Sequence, residues 1–157
     1  MEWTIRPAAA EDLEPLLALY HDYHNGLRQV GMNYDLNEQN LPRVMENRLR
    51  SRLILTAVAQ AGDGSLIGFV FCSILRLAPE YLCRGESSVG YLNDLYVAPQ
   101  ARRQGLAQAL TAYAEGWLRE QDVKVLELQV LDQNDGAWKF WKQQGLEPIG
   151  RLCCKYL

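Results

Sequence analysis

Three segments in direct succession constrain this chain more than any other feature. Val89 to Val97 is rich in strand formers. From about Gly105 to Gln121, Leu106, Leu110, Tyr113, Ala114, Trp117 and Leu118 recur on one helical stripe. Val123 to Leu131 then sets Leu126, Leu128 and Val130 on one face. A strand, a helix and a strand in this order imply parallel strands joined by a right-handed crossover. The first junction reads Leu95-Tyr96-Val97-Ala98-Pro99-Gln100-Ala101-Arg102-Arg103-Gln104-Gly105-Leu106-Ala107. Pro99 stops the strand, and a glycine at the mouth of the helix lets main chain approach a ligand closely. The first amides of a helix lack intrahelical partners and carry partial positive charge. With Arg102 and Arg103 beside them, they suit a pyrophosphate.

Around this unit the chain alternates plausible strands and helices. Trp3 to Arg6 suits a first strand ended by Pro7, and roughly Ala10 to Arg28 an amphipathic helix. A second helix follows Asn37, a fair N-cap, and runs to about Arg50; its charge places it on the surface. Leu53 to Ala59 and Leu66 to Leu75 are apolar strands joined by the turn Gly62-Asp63-Gly64-Ser65. After the connection Pro79 to Glu86, Val89 to Val97 completes three consecutive antiparallel strands. A helix from Asp135 to Gln144 ends at Gly145, and Ile149 to Leu157 can be a final strand. The sum is a mixed α+β sheet with helices on both faces, read as a single domain over residues 1–157.

Bulk properties narrow the function classes. Apolar content of 48% and charged content of 22% fit a soluble globular chain and argue against disorder. A net charge of −3 disfavours nucleic acid as the main partner and is compatible with cationic substrates. No apolar run is long enough to span a bilayer, so a cytoplasmic protein without a membrane partner is expected. Cys72, Cys83, Cys153 and Cys154 match neither zinc-site nor redox spacing and read as structural thiols, with no metal expected.

The pattern Arg102-x-x-Gly105-x-Ala107 resembles the pyrophosphate loop of the GNAT acetyltransferases, which move acetyl from acetyl-CoA to an amine. Tyr91-Leu92-Asn93-Asp94-Leu95-Tyr96-Val97 is similar to that family's fourth strand. Asn134-Asp135-Gly136-Ala137-Trp138-Lys139-Phe140-Trp141-Lys142-Gln143-Gln144-Gly145-Leu146 is similar to its late helix. The resemblance implies a GNAT-like, mostly antiparallel mixed sheet with helices on both faces and a splayed parallel strand pair. It implies acetyl-CoA as co-substrate, held along Leu95, Tyr96 and Val97. The amides of Arg103, Gln104, Gly105, Leu106 and Ala107 would take the pyrophosphate, with Arg102 as charge partner. Asn134 would contact the CoA arm, and it is equally a good N-cap. The family usually has two strands after its last helix, and the tail here has room for little more than one. A homodimer contact at that edge is left open.

The catalytic positions depart from the family pattern. Its usual general acid, a tyrosine in the late helix, is matched by Trp141, which can pack against the thioester, donate to the sulfur or simply fill core. Tyr91, Tyr96 and Tyr156 are alternatives. The glutamate that related enzymes carry on the fourth strand aligns with Asn93. Regular alternation puts Tyr91, Asn93, Leu95 and Val97 on one face and Asp94 on the other, unless a bulge intervenes. Asp94 can be the base, a substrate anchor or a structural acceptor, and Asn93 can hold ordered water. The segments His21–Glu38 and Leu77–Ser88 would wall the acceptor. Their Asp22, Tyr23, His24, Tyr34, Asp35, Glu80, Tyr81 and Glu86 suit an amine, or else form a solvated loop. His21 and His24 read as helix residues rather than catalysts. The expectation is an N-acetyltransferase acting on a primary amine of a small molecule by direct attack in a ternary complex. An acyl-CoA-binding sensor with little catalysis and a protein or peptide N-acetyltransferase are the competing readings.

Overall fold

Strand pairing organises the molecule, and the computed structural model describes residues 2–157. The strands are β1 (Trp3–Pro7), β2 (Ile54–Ala61), β3 (Leu66–Arg76), β4 (Ser88–Val97) and β5 (Leu126–Glu127), and they lie in the sheet in that order. β1 to β4 are antiparallel neighbours, whereas β5 runs parallel to β4. The helices are α1 (Leu13–Arg28), α2 (Leu41–Arg50), α3 (Leu106–Glu120) and α4 (Asp135–Gln143). The α+β architecture and the parallel pair therefore agree with the expectation. In the β2–β3 turn, Asp63 Oδ1 accepts from the Ser65 amide at 3.0 Å and hydroxyl at 2.7 Å, closing the hairpin.

Alternation along the central strands builds two cores. On one face Ala57, Val70, Cys72, Leu92, Leu106, Leu110, Leu118 and Trp141 pack the sheet against α3 and α4. On the other, Val58, Phe69, Phe71 and Tyr96 meet Leu16 of α1 and Met45 of α2. Phe69 and Phe71 stack at 4.8 Å, and Tyr20 and Tyr23 of α1 cover them. Burying each such large side chain contributes about 1.5–3 kcal/mol. Cys72 lies in the first core, where burial pushes its thiol up to about 12.

Three elements differ from the sequence reading. α2 begins at Leu41 rather than just after Asn37, because Asn37 caps the preceding turn: its Oδ1 accepts from the Asn40 amide. α2 is also not a mere surface helix. Leu41 and Met45 are buried, and Arg48 continues the same stripe inward. Finally, Ile149 to Leu157 forms no strand; Ile149, Leu152, Tyr156 and Leu157 are exposed. A terminal strand needs a neighbouring ladder, and only Leu126 and Glu127 of the expected Val123–Leu131 strand pair in the sheet. The tail instead lies near the α1–α2 connection, with Asn33 Nδ2 3.4 Å from Tyr156 Oη.

At the start of α1, Asp12 has a side chain only 6% exposed and binds Arg6 through both guanidinium nitrogens, at 2.7 and 2.9 Å. It also accepts from the Ala9 amide at 2.7 Å. The Arg6 hydrogen bond, helped by the Ala9 amide, holds the Asp12 carboxyl below its ordinary range, against the opposing effect of burial. A depressed carboxyl contributes stability above its unfolded pKa and loses it as pH falls through the folded value. Asp12→Asn should therefore lower unfolding stability at neutral pH by about 2 kcal/mol. The gap to wild type should close as pH drops below about 4, in urea titrations run across the acid range.

Candidate active site

The site grows from the place where β4 and β5 part. Gly90 pairs with Leu126 and Tyr91 with Glu127, and the Gly90 amide donates to the Val125 carbonyl at 2.8 Å. Beyond Tyr91 the parallel ladder stops, so the edge of β4 from Leu92 to Val97 has no strand partner on that side. The register between β3 and β4 slips at the same point: Cys72 faces Leu92 and Phe71 faces Asp94, leaving Asn93 as the extra residue of a bulge. This resolves the alternation left open above. Leu92 before the bulge and Leu95 and Val97 after it share the α3 face, while Asp94 and Tyr96 turn to the α1–α2 face. Asn93 Oδ1 accepts from Ser73 Oγ at 2.8 Å.

Asp94 does not stand free. Its side chain is 14% exposed, and Oδ2 accepts from Arg48 Nη1 at 3.1 Å. The Arg48 guanidinium lies 4.6 Å from the centroid of Phe71, which fixes its plane against the sheet. Tyr20 and Tyr23 share this environment. Burial, with Asp94 adding to it, pushes the Tyr20 phenol up to about 12 and that of Tyr23 further still. Tyr91 is raised by burial first and by Asp94 and Glu127 after it. Arg48, Tyr20 and Ser73 were not singled out by the sequence reading. The spacing Leu41, Met45, Arg48 was the available signal for Arg48, since it puts the arginine on the buried stripe of α2.

At the far end of β4 the chain turns through a short 3₁₀ segment, Pro99–Ala101, into the junction before α3. Arg103 has φ 60° and Gly105 φ 79°, both left-handed. From Arg103 to Gln108, six consecutive amides make no backbone hydrogen bond among the described residues; the Gly105 carbonyl accepts only at Ala109. A Cβ built on Gly105 would meet nothing nearer than Gln108 Oε1 at 4.0 Å, so its surroundings are open and its backbone geometry is the reason for glycine. Leu106 is buried and pins the first turn to the core, while Arg102, Arg103, Gln104 and Gly105 are exposed. Arg102 folds back: Nε donates to the Val97 carbonyl at 3.0 Å, and its guanidinium lies 6.0 Å from the Tyr96 ring centroid. Gln104 Nε2 donates to the Gln100 carbonyl at 3.3 Å.

The remaining sequence candidates fall around these two centres. Asn134 caps α4, its Oδ1 accepting from the Ala137 amide at 3.1 Å. Trp141 is buried in the α3-side core, edge-on to Phe140 at 4.8 Å. His24 donates from Nε2 to the Tyr34 carbonyl at 2.9 Å, tying α1 to the α1–α2 connection. Several wall acids are paired: Asp35 with Arg28, Glu86 with Lys124 at 2.8 Å, and Glu38 with His21 at 3.5 Å. Tyr156 reaches Asn33, whereas Tyr96 is buried on the α1 side; the two do not meet Trp141 at a common point in any hydrogen bond among the described residues. No helix among the described residues is long and apolar enough to cross a membrane.

Comparison with known proteins agrees with this geometry. The family model of the GNAT acetyltransferases matches residues 13–146. An uncharacterized N-acetyltransferase of Bacillus subtilis, YhfO, is 28% identical, covering 91% of this chain and 89% of its own. The phosphinothricin N-acetyltransferase of Streptomyces coelicolor is 24% identical over 95% of this chain and 84% of its own. Among solved structures, AAC(6')-Iy in complex with the bisubstrate analogue CoA-S-monomethyl-acetylneamine has the same fold. Its TM-score is 0.77 at 22% identity, with 100% of this chain and 99% of that chain covered. A matched family model spanning most of the chain, on a sheet whose parallel pair splays beside a strand–loop–helix junction, makes this protein an N-acetyltransferase of the GNAT family.

Proposed function

We propose that the chain transfers acetyl from acetyl-CoA to a primary amine of a small molecule, by direct attack within a ternary complex. The observation that carries this reading is the run of six amides from Arg103 to Gln108 without backbone partners among the described residues, at the end of the strand that splays from β5. Oriented main-chain donors at a helix start suit a pyrophosphate, and the cleared edge of Leu95 and Val97 suits the amides of a pantetheine arm. The fold-back of Arg102 onto Val97 and Tyr96 gives it a positioning role at the loop, with its charge still beside the cradle. Asn134 keeps its capping bond, and its amide nitrogen is the part left for a coenzyme contact. Trp141 serves as packing under the arm.

The acceptor side must solve a proton problem. An alkyl ammonium has a pKa of roughly 10, so near pH 7 about one molecule in a thousand is neutral. Shedding that proton costs about 4 kcal/mol unless the site assists. In this reading Asp94, which follows the bulge at the splay point, receives it directly or through water held by Asn93. Arg48 holds Asp94 in place, and burial raises the phenols of Tyr20 and Tyr23, so both stay protonated well beyond neutral pH. Tyr91 likewise retains its proton. It suits donation of a hydrogen bond to the departing sulfur; full transfer is unnecessary, since a thiol of pKa about 8.5 leaves tolerably as thiolate. The relatives named for phosphinothricin and for acetylneamine-type ligands support a small-molecule acceptor over a peptide.

Thiol release from acetyl-CoA against polyamines, amino acids, aminoglycosides and peptides tests the reading. Intersecting initial-rate lines are expected with at least one small amine; parallel lines would indicate an acetyl-enzyme instead. CoA binding without turnover across the panel would favour a sensor. Gly105→Glu should weaken CoA binding by at least about a hundredfold in calorimetry, with an unchanged far-UV spectrum. Unaltered affinity would refute the loop assignment. Asp94→Asn should lower kcat by about a hundredfold and change the pH–rate profile. In unfolding titrations, Asp94→Asn and Arg48→Met should be non-additive by about 1–3 kcal/mol, the signature of a half-buried pair.

A further inference from the structure

The cysteines are free and divide by their surroundings. Cys72 is buried in the α3-side core and fits the structural role expected from the sequence. Cys83 is partly buried and exchanges main-chain hydrogen bonds with Glu86 at 2.9 Å. Cys153 and Cys154 are different. Both are exposed, so core packing explains neither.

The pair lies in the segment after α4, which the sheet does not hold. Across residues 147–157 no main-chain group forms a backbone hydrogen bond among the described residues. The segment is tied instead to one side chain of the α1–α2 connection. Asn33 Nδ2 lies 3.7 Å from Cys154 Sγ and 3.4 Å from Tyr156 Oη. Residues two apart share one side of an extended chain, so Cys154 and Tyr156 meet Asn33 and Cys153 is left on the other side. In a β-ladder the backbone would keep neighbouring side chains on opposite faces and their sulfurs apart. No ladder imposes that here.

An accessible thiol next to a resolving thiol is the arrangement of cysteines that respond to oxidants. We propose that Cys153 and Cys154 form a peroxide-sensitive dithiol, a modification site separate from the acetyl-transfer chemistry. Cys153, in its thiolate form, attacks one oxygen of a hydroperoxide. The O–O bond breaks, the other oxygen leaves as an alcohol or water, and Cys153 becomes a sulfenic acid. Cys154 then attacks the Cys153 sulfur, the S–S bond forms, and the sulfenic hydroxyl leaves as water with the Cys154 proton. Two thiols give up two electrons and two protons, and the hydroperoxide takes them. The product is a small, strained ring that includes the peptide bond between the cysteines. Strained and exposed disulfides are readily reduced, so a low-molecular-weight thiol reverses the change. Ring closure turns Cys154 Sγ toward Cys153 and away from Asn33, leaving Tyr156 to hold the tail.

Hydrogen peroxide added to the reduced full chain tests this, with free thiols then alkylated and the protein digested with trypsin. Cleavage after Arg151 and Lys155 releases Leu152–Lys155, which carries both cysteines. That peptide should be found unalkylated and lighter by two hydrogens, and dithiothreitol should restore its thiols. In Cys154→Ser the sulfenic acid has no neighbour to resolve it, and dimedone should label Cys153 at least about tenfold faster than Cys83. Incidental surface thiols would give other products. A disulfide between two chains, a disulfide to Cys83, overoxidation without any disulfide, or dimedone labelling of Cys153 no faster than of Cys83 would overturn the proposal.

Discussion

The short parallel contact between β4 and β5 is the constraint on which the rest depends. Two residue pairs, Gly90 with Leu126 and Tyr91 with Glu127, are enough to fix β5 beside β4. The right-handed path through α3 then has one place to begin, beyond Val97, and its first turn must open toward the gap. Had the ladder continued, the edge of β4 would be closed by backbone pairing and the amides before α3 would face a filled sheet. The bulge at Asn93 is the other half of the same device. It rotates the strand at the parting point and carries Asp94 to the α1–α2 face, while Leu95 and Val97 stay with the α3-side core.

This arrangement separates two kinds of chemistry by the thickness of one strand. On the side of α3 lie unpartnered main-chain donors and apolar side chains, the face to which the proposed function assigns the coenzyme. On the side of α1 and α2, an ion pair, stacked aromatics and phenols raised by burial gather around Asp94. Phe71 joins the two descriptions, since it packs the second core and carries Arg48 on its face. The ion pair is only partly buried, so its contribution lies more in orientation than in net stability.

Much of the fold was legible in the sequence because it rests on periodicity. The unbroken apolar run of Leu66–Leu75, the helical stripe from Leu106 to Leu118, and Pro99 with Gly105 as punctuation are local signals, and the structure keeps them. The strand–turn–helix junction before α3 was legible for the same reason. The acceptor side was not. Arg48 lies far along the chain from Asp94, and the charge of α2 masked the apolar stripe of Leu41 and Met45 that turns it inward. The bulge leaves no composition mark at Asn93; it comes from register against β3. The tail from Ile149 has strand-forming residues, and it stays irregular because the ladder it would need is only two residues long. Local propensity was right about the residues and silent about the partner.

The junction before α3 offers peptide hydrogens, with the guanidinium groups of Arg102 and Arg103 in the same segment. A coenzyme held there as proposed would be gripped equally in mildly acidic and mildly alkaline solution. The surroundings of Asp94, by contrast, hold phenol groups beside the carboxylate, and the acceptor proposed for them is an amine that changes charge. The acidity dependence of turnover would then report one half of the molecule alone, and a change in it would say nothing about how the nucleotide end is held.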